Sequence, residues 1–486
     1  MRQVVFFLLG AAFVVVLSLR IELIFSWHYD LGGVEQDEIY TLQRVLAGYP
    51  VYENPELPPF AVTQKTPLYH YLCAAIGKAC SVNPEMPFEV YLLSRFVSLS
   101  LCLLTLALAF LLQRRLLGTP VREALMACML VFLCFEEHAF DRPDSLYTFL
   151  FLASVGSCLA ALHYRKTRFW LWASALCATT LFAKQSGILL PALLFGYLAL
   201  WQRAWRQVFL CGVVYFITFG LLLWLLKGES LLVFKANVIN GVRNGIDLGW
   251  IFDYIYNKSY KKFAILFAVG LFIGGEWLLR RQVAEQMRFL GVCLAGTFCF
   301  AHLTGLKSGS TPSYFTEFNL LTLMSAPYYW RKYLLPTGIE EKLAERIRFL
   351  AWGFVLVLIP LQTSDKNLRA GHNLQDKSVF ERSQQLRQHL DLKPGEYVLA
   401  DHPVPKLYLY RNILLPQNDI AMSLMVYKVY DYQQLNAMLE SGKIRYFISQ
   451  TETIDKMAIL EGKIDFAPYF QYDHSYAGFC IFVPVK

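Results

Sequence analysis

Long apolar runs, separated by short polar connections, fill the first three quarters of this chain. Most runs approach the roughly 20 residues that a helix needs to cross the hydrocarbon core of a bilayer. Where a run is shorter, we expect its helix to extend into flanking aromatic or polar residues. The pattern predicts eleven membrane-spanning helices, over residues 3–27, 91–112, 123–139, 145–163, 169–183, 186–201, 207–226, 262–279, 289–305, 314–330 and 347–363.

The connections between the runs alternate in charge, and this alternation predicts the orientation of the chain. Membrane proteins keep arginine and lysine in short cytoplasmic loops, so the basic connections should be cytoplasmic. The amino terminus is then inside and the carboxy terminus outside. The first run is predicted to stay uncleaved, because no small-residue cleavage site follows it. The basic residues are Arg114, Arg115, Arg122, Arg165, Lys166, Arg168, Arg203, Arg206, Arg280, Arg281, Arg288, Arg331, Lys332, Lys342, Arg346 and Arg348.

Three outer segments are long, at 28–90, 227–261 and 364–486. In the first, residues 40–47 and 67–80 have the pattern of helices that lie along the membrane surface. In the last, the apolar runs shorten to strand length at 397–400, 446–449 and 479–485, with turn sequences between them. We therefore predict a membrane domain at 1–363 and a small outer α/β domain at 364–486, which is an ordinary domain size.

The composition agrees with a polytopic membrane protein. Only 17% of the residues are charged, whereas ordinary soluble domains have about 25%. Many of the lysines and arginines behind the net charge of +8 fall in the short connections, so the charge does not indicate a nucleic-acid partner. The eleven cysteines have neither the spacing of a disulfide framework nor that of a metal site.

Asp37 and Glu38 are the first candidates for chemistry, because they follow the first span on the outer side. A carboxylate at the mouth of a helix bundle can deprotonate a hydroxyl or bind a cation. Adjacent helical residues point about 100° apart, so one site rarely uses both, and we favour Asp37. The alternative is ordinary surface acidity, or a cap for the helix that follows.

Cations near the same face are candidates for binding an anion. Lys65 precedes Pro67, which suits the first position of a helix, and helix amino termini favour phosphate. Lys184 lies in a tight turn between two spans, and Lys307 in a Gly- and Ser-containing loop that leads to Tyr314. The alternative for Lys65 and Lys184 is that they extend to lipid headgroups from the membrane boundary. The alternative for Lys307 is that it belongs to a solvated loop.

A third group surrounds the outer end of the fourth span. Asp141, Arg142 and Asp144 are close in sequence, and an outer arginine suits a phosphate. Asp144 could instead cap the helix that begins at Ser145, with Arg142 paired to either aspartate. Glu317 lies about one turn inside the tenth span, where a charged residue should be paired or functional.

The order of these motifs along the chain resembles the GT-C superfamily of polyprenyl-phosphate-sugar-dependent glycosyltransferases. The resemblance covers residues 1–363 and is closest to the bacterial branch of aminoarabinose transferases and protein-mannosyltransferase-like enzymes. It rests on Asp37-Glu38, on the stretch from Lys65 to Leu68, on Arg142-Pro143-Asp144, on the Lys184 turn and on the loop from Lys307 to Tyr314.

The resemblance implies an inverting transfer of a sugar from a polyprenyl-phosphate donor to a hydroxyl of a lipid, glycan or protein. It implies that the protein lies in a bacterial inner membrane with its active site on the periplasmic side. Asp37 would be the general base, with Glu38 in a supporting role. The donor phosphate would contact Lys65, Arg142, Lys184, Lys307 and Tyr314, supported by Asp141, Asp144 and Glu317.

One departure from the aminoarabinose branch concerns metal binding. Those relatives have a glutamate, a proposed metal ligand, immediately before the lysine, whereas this chain has Gln64. We therefore assign no metal ligand and leave a divalent cation open.

Three other functions fit parts of the pattern. A flippase or transporter of lipid-linked glycans would also need outer cations, but it should show internal repeats or interrupted helices near the midplane. A ligase that moves a preassembled glycan from a lipid diphosphate differs only in its donor. A non-enzymatic assembly protein or receptor would depend on the region 390–486 instead of on Asp37.

Overall fold

The structure is a computed structural model that describes residues 2–31, 35–134, 140, 142–334, 373–455, 459–460 and 462–485. The predicted eleventh span at 347–363, Asp141 and the predicted boundary between 363 and 364 lie outside these residues.

The helices are α1 (Arg2–Ile24), α2 (Glu35–Leu46), α3 (Leu68–Ala79), α4 (Pro87–Arg115), α5 (Val121–Cys134), α6 (Asp144–Tyr164), α7 (Thr167–Ala183), α8 (Leu189–Gly196), α9 (Trp205–Leu226), α10 (Leu231–Lys235), α11 (Leu248–Trp250), α12 (Lys261–Leu279), α13 (Glu285–Gly305), α14 (Thr316–Tyr329), α15 (Asn373–Leu390), α16 (Pro403–Tyr408), α17 (Asn418–Val426) and α18 (Gln433–Glu440).

The first ten predicted spans coincide with helices. Within the described part of the chain, six helices are long and apolar enough to cross a membrane: α1, α4, α6, α9, α12 and α13. The other apolar segments are shorter or irregular. The run after α7, for example, is a 3₁₀ turn (Gln185–Ile188), then α8, then a π turn (Tyr197–Trp201). The protein is thus a polytopic helical membrane protein, and the number of eleven crossings stays a prediction.

The two helices predicted in the first outer loop are present, with shifted ends. Helix α2 begins at Glu35, five residues earlier than its apolar pattern. Three acidic residues in its first turn, Glu35, Asp37 and Glu38, are favourable next to the positive end of the helix dipole. Helix α3 begins at Leu68, with Pro67 as its N-cap residue, and ends at Ala79.

A buried ion pair fixes the start of α2 against α4. The Arg95 guanidinium lies 2.9 Å from the Glu35 carboxylate, and both side chains are fully buried. Arg95 also donates to the carbonyl oxygens of Ser26 and His28, at the end of the first span. Because a buried charge needs partners, this network holds the amino end of α2 in one place.

The C-terminal region forms a four-stranded sheet in the order β1-β2-β4-β3, which confirms the predicted small α/β region. The strands are β1 (Tyr397–Ala400), β2 (Ile444–Ser449), β3 (Phe470–Tyr476) and β4 (Phe479–Pro484). Strands β1 and β2 are parallel and connected through α16, α17 and α18, whereas β4 is antiparallel to both β2 and β3. Strand β3 was not predicted, because most of its residues are polar and exposed at the sheet edge.

The C-terminal region packs directly on the first outer loop. One apolar cluster joins residues of α2, α3 and α4 with residues of α15, α16 and the sheet, and a second joins Phe60 and Val62 with α17 and α18. Hydrogen bonds connect Gln43 Nε2 to the carbonyl oxygen of Leu407 at 3.1 Å, and Val62 N to Gln417 Oε1 at 3.1 Å. This contact brings α17 next to the amino end of α2.

Candidate active site

A cavity of about 260 Å³ lies where the first outer loop, the loop before α14 and helix α17 meet. Five of the predicted site residues line it, namely Asp37, Glu38, Lys65, Lys307 and Tyr314. The structure therefore brings together a carboxylate pair and two lysines that are up to 270 residues apart in sequence. The remaining lining residues are Gln36, Thr41, Val62, Thr63, Gln64, Asn244, Gly309, Gln417, Asp419, Ile420 and Ser423.

Asp37 lies in the first turn of α2 and is partly buried. Burial raises the pKa of its carboxyl well above the ordinary value, and the negative charges of Asp419 and Glu38 raise it further. The charge of Lys406 acts in the opposite direction. A carboxylate with a raised pKa is a stronger base once it is deprotonated, which suits proton abstraction from a hydroxyl.

Glu38 has a different environment from its neighbour. One of its carboxylate oxygens lies 2.9 Å from Nε2 of His70 on α3, and both side chains are buried. Adjacent residues of a helix point in different directions, so Glu38, which also lines the cavity, reaches His70 on α3, whereas Asp37 does not share this contact. This contact ties the start of α2 to α3, and the supporting role of Glu38 stays a prediction.

Backbone contacts fix the segment that carries Lys65. The Tyr52 hydroxyl donates to the carbonyl oxygen of Lys65 at 3.0 Å, and Gln185 Nε2 donates to the carbonyl oxygen of Gln64 at 2.5 Å. Gln185 belongs to the turn after α7, so this turn supports the cavity through the backbone.

Lys307 reaches the same cavity from the loop between α13 and α14. The loop is tied down by a β-bridge between Lys307 and Ile246 and by a hydrogen bond from Ser308 N to the carbonyl oxygen of Gly245. Burial lowers the pKa of the Lys307 ammonium to about 8, and the charges of Lys65 and Lys184 add to this effect. Two cations that repel each other in a partly buried site would be stabilised by an anionic ligand.

A polar group lies beside Tyr314 and does not belong to the described residues that line the cavity. Its members are Lys184, Asp144 and Glu317. Lys184 Nζ lies 2.5 Å from Asp144 Oδ1 and 5.1 Å from the centre of the Tyr314 ring. Helix α6 begins at Asp144 itself, with Pro143 as its N-cap residue, so Asp144 pairs with a lysine instead of capping the helix. Glu317, in the first turn of α14, is buried.

Arg142 also lies outside the described lining of the cavity. It is buried, its backbone N–H donates to Ser98 Oγ at 3.5 Å, and its carbonyl oxygen accepts a hydrogen bond from the Ser145 hydroxyl. These contacts fix the turn before α6. Neither contact places the Arg142 guanidinium at the cavity, so its phosphate role stays a prediction.

The described residues do not match a metal site. They include no group of three or more His, Cys, Asp or Glu side chains placed to hold an ion. Gln64 supplies a neutral amide, and its Nε2 donates to the carbonyl oxygen of Gly241 and, at 3.3 Å, to Asn244 Oδ1.

No pattern in the sequence pointed to Asn244 or to the α17 side of the cavity. Gln417 and Asp419 belong to a polar stretch that resembles an ordinary turn and helix start. They reach the cavity only because the C-terminal region packs on Val62.

The helical membrane region, the two helices between α1 and α4 and the C-terminal α/β region form an arrangement that solved structures share. The crystal structure of ArnT from Cupriavidus metallidurans bound to undecaprenyl phosphate is similar over 98% of both chains, with a TM-score of 0.62 and 12% identity. The apo form of that protein gives a TM-score of 0.63 at 12% identity, again over 98% of both chains.

A second solved structure has the same fold. The Archaeoglobus fulgidus oligosaccharyltransferase, in complex with Zn and sulfate, has a TM-score of 0.59 and 15% identity, over 98% of this chain and 73% of that one. No protein-family model matches the sequence, and a search of curated proteins finds no match. These comparisons confirm the GT-C fold expected from the sequence.

Proposed function

We propose that this protein is a membrane glycosyltransferase that moves a sugar from a polyprenyl-phosphate-linked donor to a hydroxyl group. The main support is the cavity that joins Asp37, a carboxylate of raised pKa, with Lys65 and Lys307. A base and a pair of cations are what this reaction requires, since a proton leaves the acceptor while a phosphate departs. ArnT, which shares the fold, was crystallised with undecaprenyl phosphate.

The proposed reaction is a single displacement. The acceptor oxygen attacks the anomeric carbon of the sugar, and Asp37 takes the proton of the acceptor hydroxyl. The bond between the anomeric carbon and the phosphate oxygen breaks, and its electron pair leaves with polyprenyl phosphate. One in-line attack inverts the configuration at the anomeric carbon.

Lys65 and Lys307 would hold the phosphate and offset the negative charge that grows on the leaving oxygen. Tyr314 lines the same cavity, next to the Lys184 ammonium. In this arrangement Lys184 acts on the phosphate through Tyr314 and the local charge, because its own ammonium hydrogen-bonds Asp144. Glu38 and His70 support the start of α2 and α3.

The charge alternation of the loops supports an active site on the outer face of a bacterial inner membrane, with a cytoplasmic amino terminus. The acceptor would then be an envelope lipid, glycan or protein. Mass spectrometry of envelope glycolipids, from cells with and without the protein, would identify the sugar and distinguish a lipid acceptor.

The decisive variant is Asp37→Asn, which keeps the size of the side chain and removes the base. A general base contributes roughly 10²–10⁴-fold to the rate. We therefore expect the transfer activity of this variant to fall by at least about 10²-fold. Asp473→Asn is the matched control, because Asp473 is an exposed carboxylate on β3 in the C-terminal region. Both variants should insert and fold like the wild type. Normal turnover by Asp37→Asn would refute the proposed role.

A further inference from the structure

Gln417 is a buried side chain at the cavity with an unused donor. It is 3% exposed, and its Oε1 accepts a hydrogen bond from Val62 N at 3.1 Å. Its Nε2 has no hydrogen-bond partner among the residues that the structure describes. Leaving a buried amide donor unpaired is unfavourable, so this position favours a ligand that brings an acceptor oxygen.

Two further polar groups extend this wall along α17. Asp419 is an exposed carboxylate in the first turn of the helix, and Ser423 follows one turn later. Residues four apart lie on the same face of a helix, and both line the cavity together with Gln417. The wall therefore offers a donor, an anionic acceptor and a hydroxyl to whatever fills the cavity.

The start of α17 is held firmly. Nζ of the buried Lys406, on α16, donates to Asn418 Oδ1 at 2.7 Å, and Asn418 Nδ2 donates to the carbonyl oxygen of Ile459 at 3.1 Å. The neighbouring Leu415 N donates to the carbonyl oxygen of Pro59, in the first outer loop. A ligand would thus meet a wall whose geometry is set before it binds.

We propose that Gln417 and Asp419 bind the hydroxyl groups of a sugar ring in the cavity that Asp37 also lines. Gln417 Nε2 donates to a hydroxyl oxygen, and Asp419 accepts a hydrogen bond from a second hydroxyl. This subsite rests on the proposed glycosyl transfer and deepens it, because it assigns sugar recognition to the C-terminal region. The ring could belong to the donor or to a glycan acceptor.

The charges of the cavity favour a sugar over a phosphate at this wall. Asp419 repels a phosphate, whereas Lys65 and Lys307 attract one. A neutral polyol matches a wall with both a donor and acceptors, because each hydroxyl can donate and accept.

The test measures ligand binding to the full chain, purified in detergent. The probes are undecaprenyl phosphate, undecaprenyl phosphates that carry glucose, galactose, mannose or arabinose, and the methyl glycosides of these sugars added with undecaprenyl phosphate. The variants are Gln417→Glu, which keeps the oxygen that accepts from Val62 N, Gln417→Met, which adds no charge, and Asp419→Asn. Glu440→Gln is the control, because Glu440 is an exposed carboxylate at the end of α18.

We expect the wild type to bind at least one sugar-bearing probe about tenfold more tightly than undecaprenyl phosphate alone, the size of one hydrogen bond to a charged or well-placed polar group. The Gln417 and Asp419 variants should lose most of this preference and still bind undecaprenyl phosphate. A loss seen with the lipid-linked sugars assigns the subsite to the donor, and a loss seen only with the methyl glycosides assigns it to the acceptor.

Two results would overturn the subsite. One is a wild type without any sugar preference, and the other is a preference that survives in all three variants. If the wild type does not bind undecaprenyl phosphate at all, the proposed function itself fails, and this outcome is distinct from both.

Discussion

Donor binding should weaken as the pH rises, because the pKa of Lys307 is lowered. Burial and the nearby charges of Lys65 and Lys184 lower this pKa to about 8. If the protonated ammonium holds the donor phosphate, affinity is full below this pKa and declines as the pH rises through it. The experiment therefore varies the pH and leaves the protein unchanged.

The size of the change in affinity follows from the titration of Lys307. With a pKa of about 8, the protonated fraction of Lys307 is about 0.9 at pH 7 and about 0.1 at pH 9. Apparent affinity scales with the fraction of protein that is competent to bind. Affinity for undecaprenyl phosphate should therefore fall about tenfold over this range, which corresponds to about 1.4 kcal/mol.

The assay is a set of dissociation constants for undecaprenyl phosphate at several pH values, with Lys307→Arg as the matched variant. Arginine stays charged across the range, so it should remove most of the decline. The probe cannot produce the decline, because a phosphate monoester loses its second proton at about pH 6 and becomes more negative as the pH rises. Lys406, whose pKa burial also lowers to about 8, is present in both proteins.

Equal affinity of the wild type at the two ends of the pH range would contradict the binding of the phosphate by protonated Lys307. So would a decline of the same size in Lys307→Arg, because the titrating group would then be another residue. A uniform loss of affinity in Lys307→Arg, at every pH, would indicate instead that the guanidinium does not fit the site.

Three further predictions concern other parts of the molecule. Asp419→Asn removes a negative charge that raises the pKa of Asp37, so the acid limb of the transfer rate should move to lower pH, whereas Glu440→Gln should leave it in place. Arg95→Met removes the ion pair with the buried Glu35 carboxylate and should cost roughly 3–5 kcal/mol of stability, measured as thermal unfolding in detergent. Gly270→Ala places a methyl group against Thr322 and Phe318 of α14 and should cost about 1–3 kcal/mol of stability. Gly275→Ala is the control and should not destabilise the protein, because the space around Gly275 is open. Equal stability of the two alanine variants would contradict the packing of α12 on α14.

The membrane helices could be predicted because their signal is local. A segment in hydrocarbon must satisfy its own backbone and present apolar side chains, so composition over about 20 residues is enough. The exact shape of the run after α7 could not be predicted, because it depends on a close approach. A side chain at Gly187 would collide with the backbone of Thr180, and the helix is irregular there.

The part of the candidate site that comes from the loops of the membrane region was predictable, and the part that comes from the C-terminal region was not. The charge of the loops placed Asp37, Lys65 and Lys307 on one face, and the structure puts all three at one cavity. The charge of the loops could not show that Lys184 pairs with Asp144. The side of the membrane on which a residue lies does not determine its ion-pair partner. Gln417 depends on a tertiary contact across 355 residues, for which no local pattern exists.

The two sides of the cavity differ in charge, and this difference has a consequence for how a donor would lie. Lys65 and Lys307 come from the loops of the membrane region, whereas Asp419 comes from α17 of the C-terminal region, and Asp37 lies at the same cavity. A lipid-linked donor has its phosphate next to the membrane and its sugar beyond it. If the sugar bound at α17 is that of the donor, the phosphate would meet the lysines and the sugar would meet α17, so the bond that breaks would lie between the cations and the base. An acceptor hydroxyl must then approach from the side of Asp37, and the electrostatics of the cavity would select the direction of attack as well as the ligand.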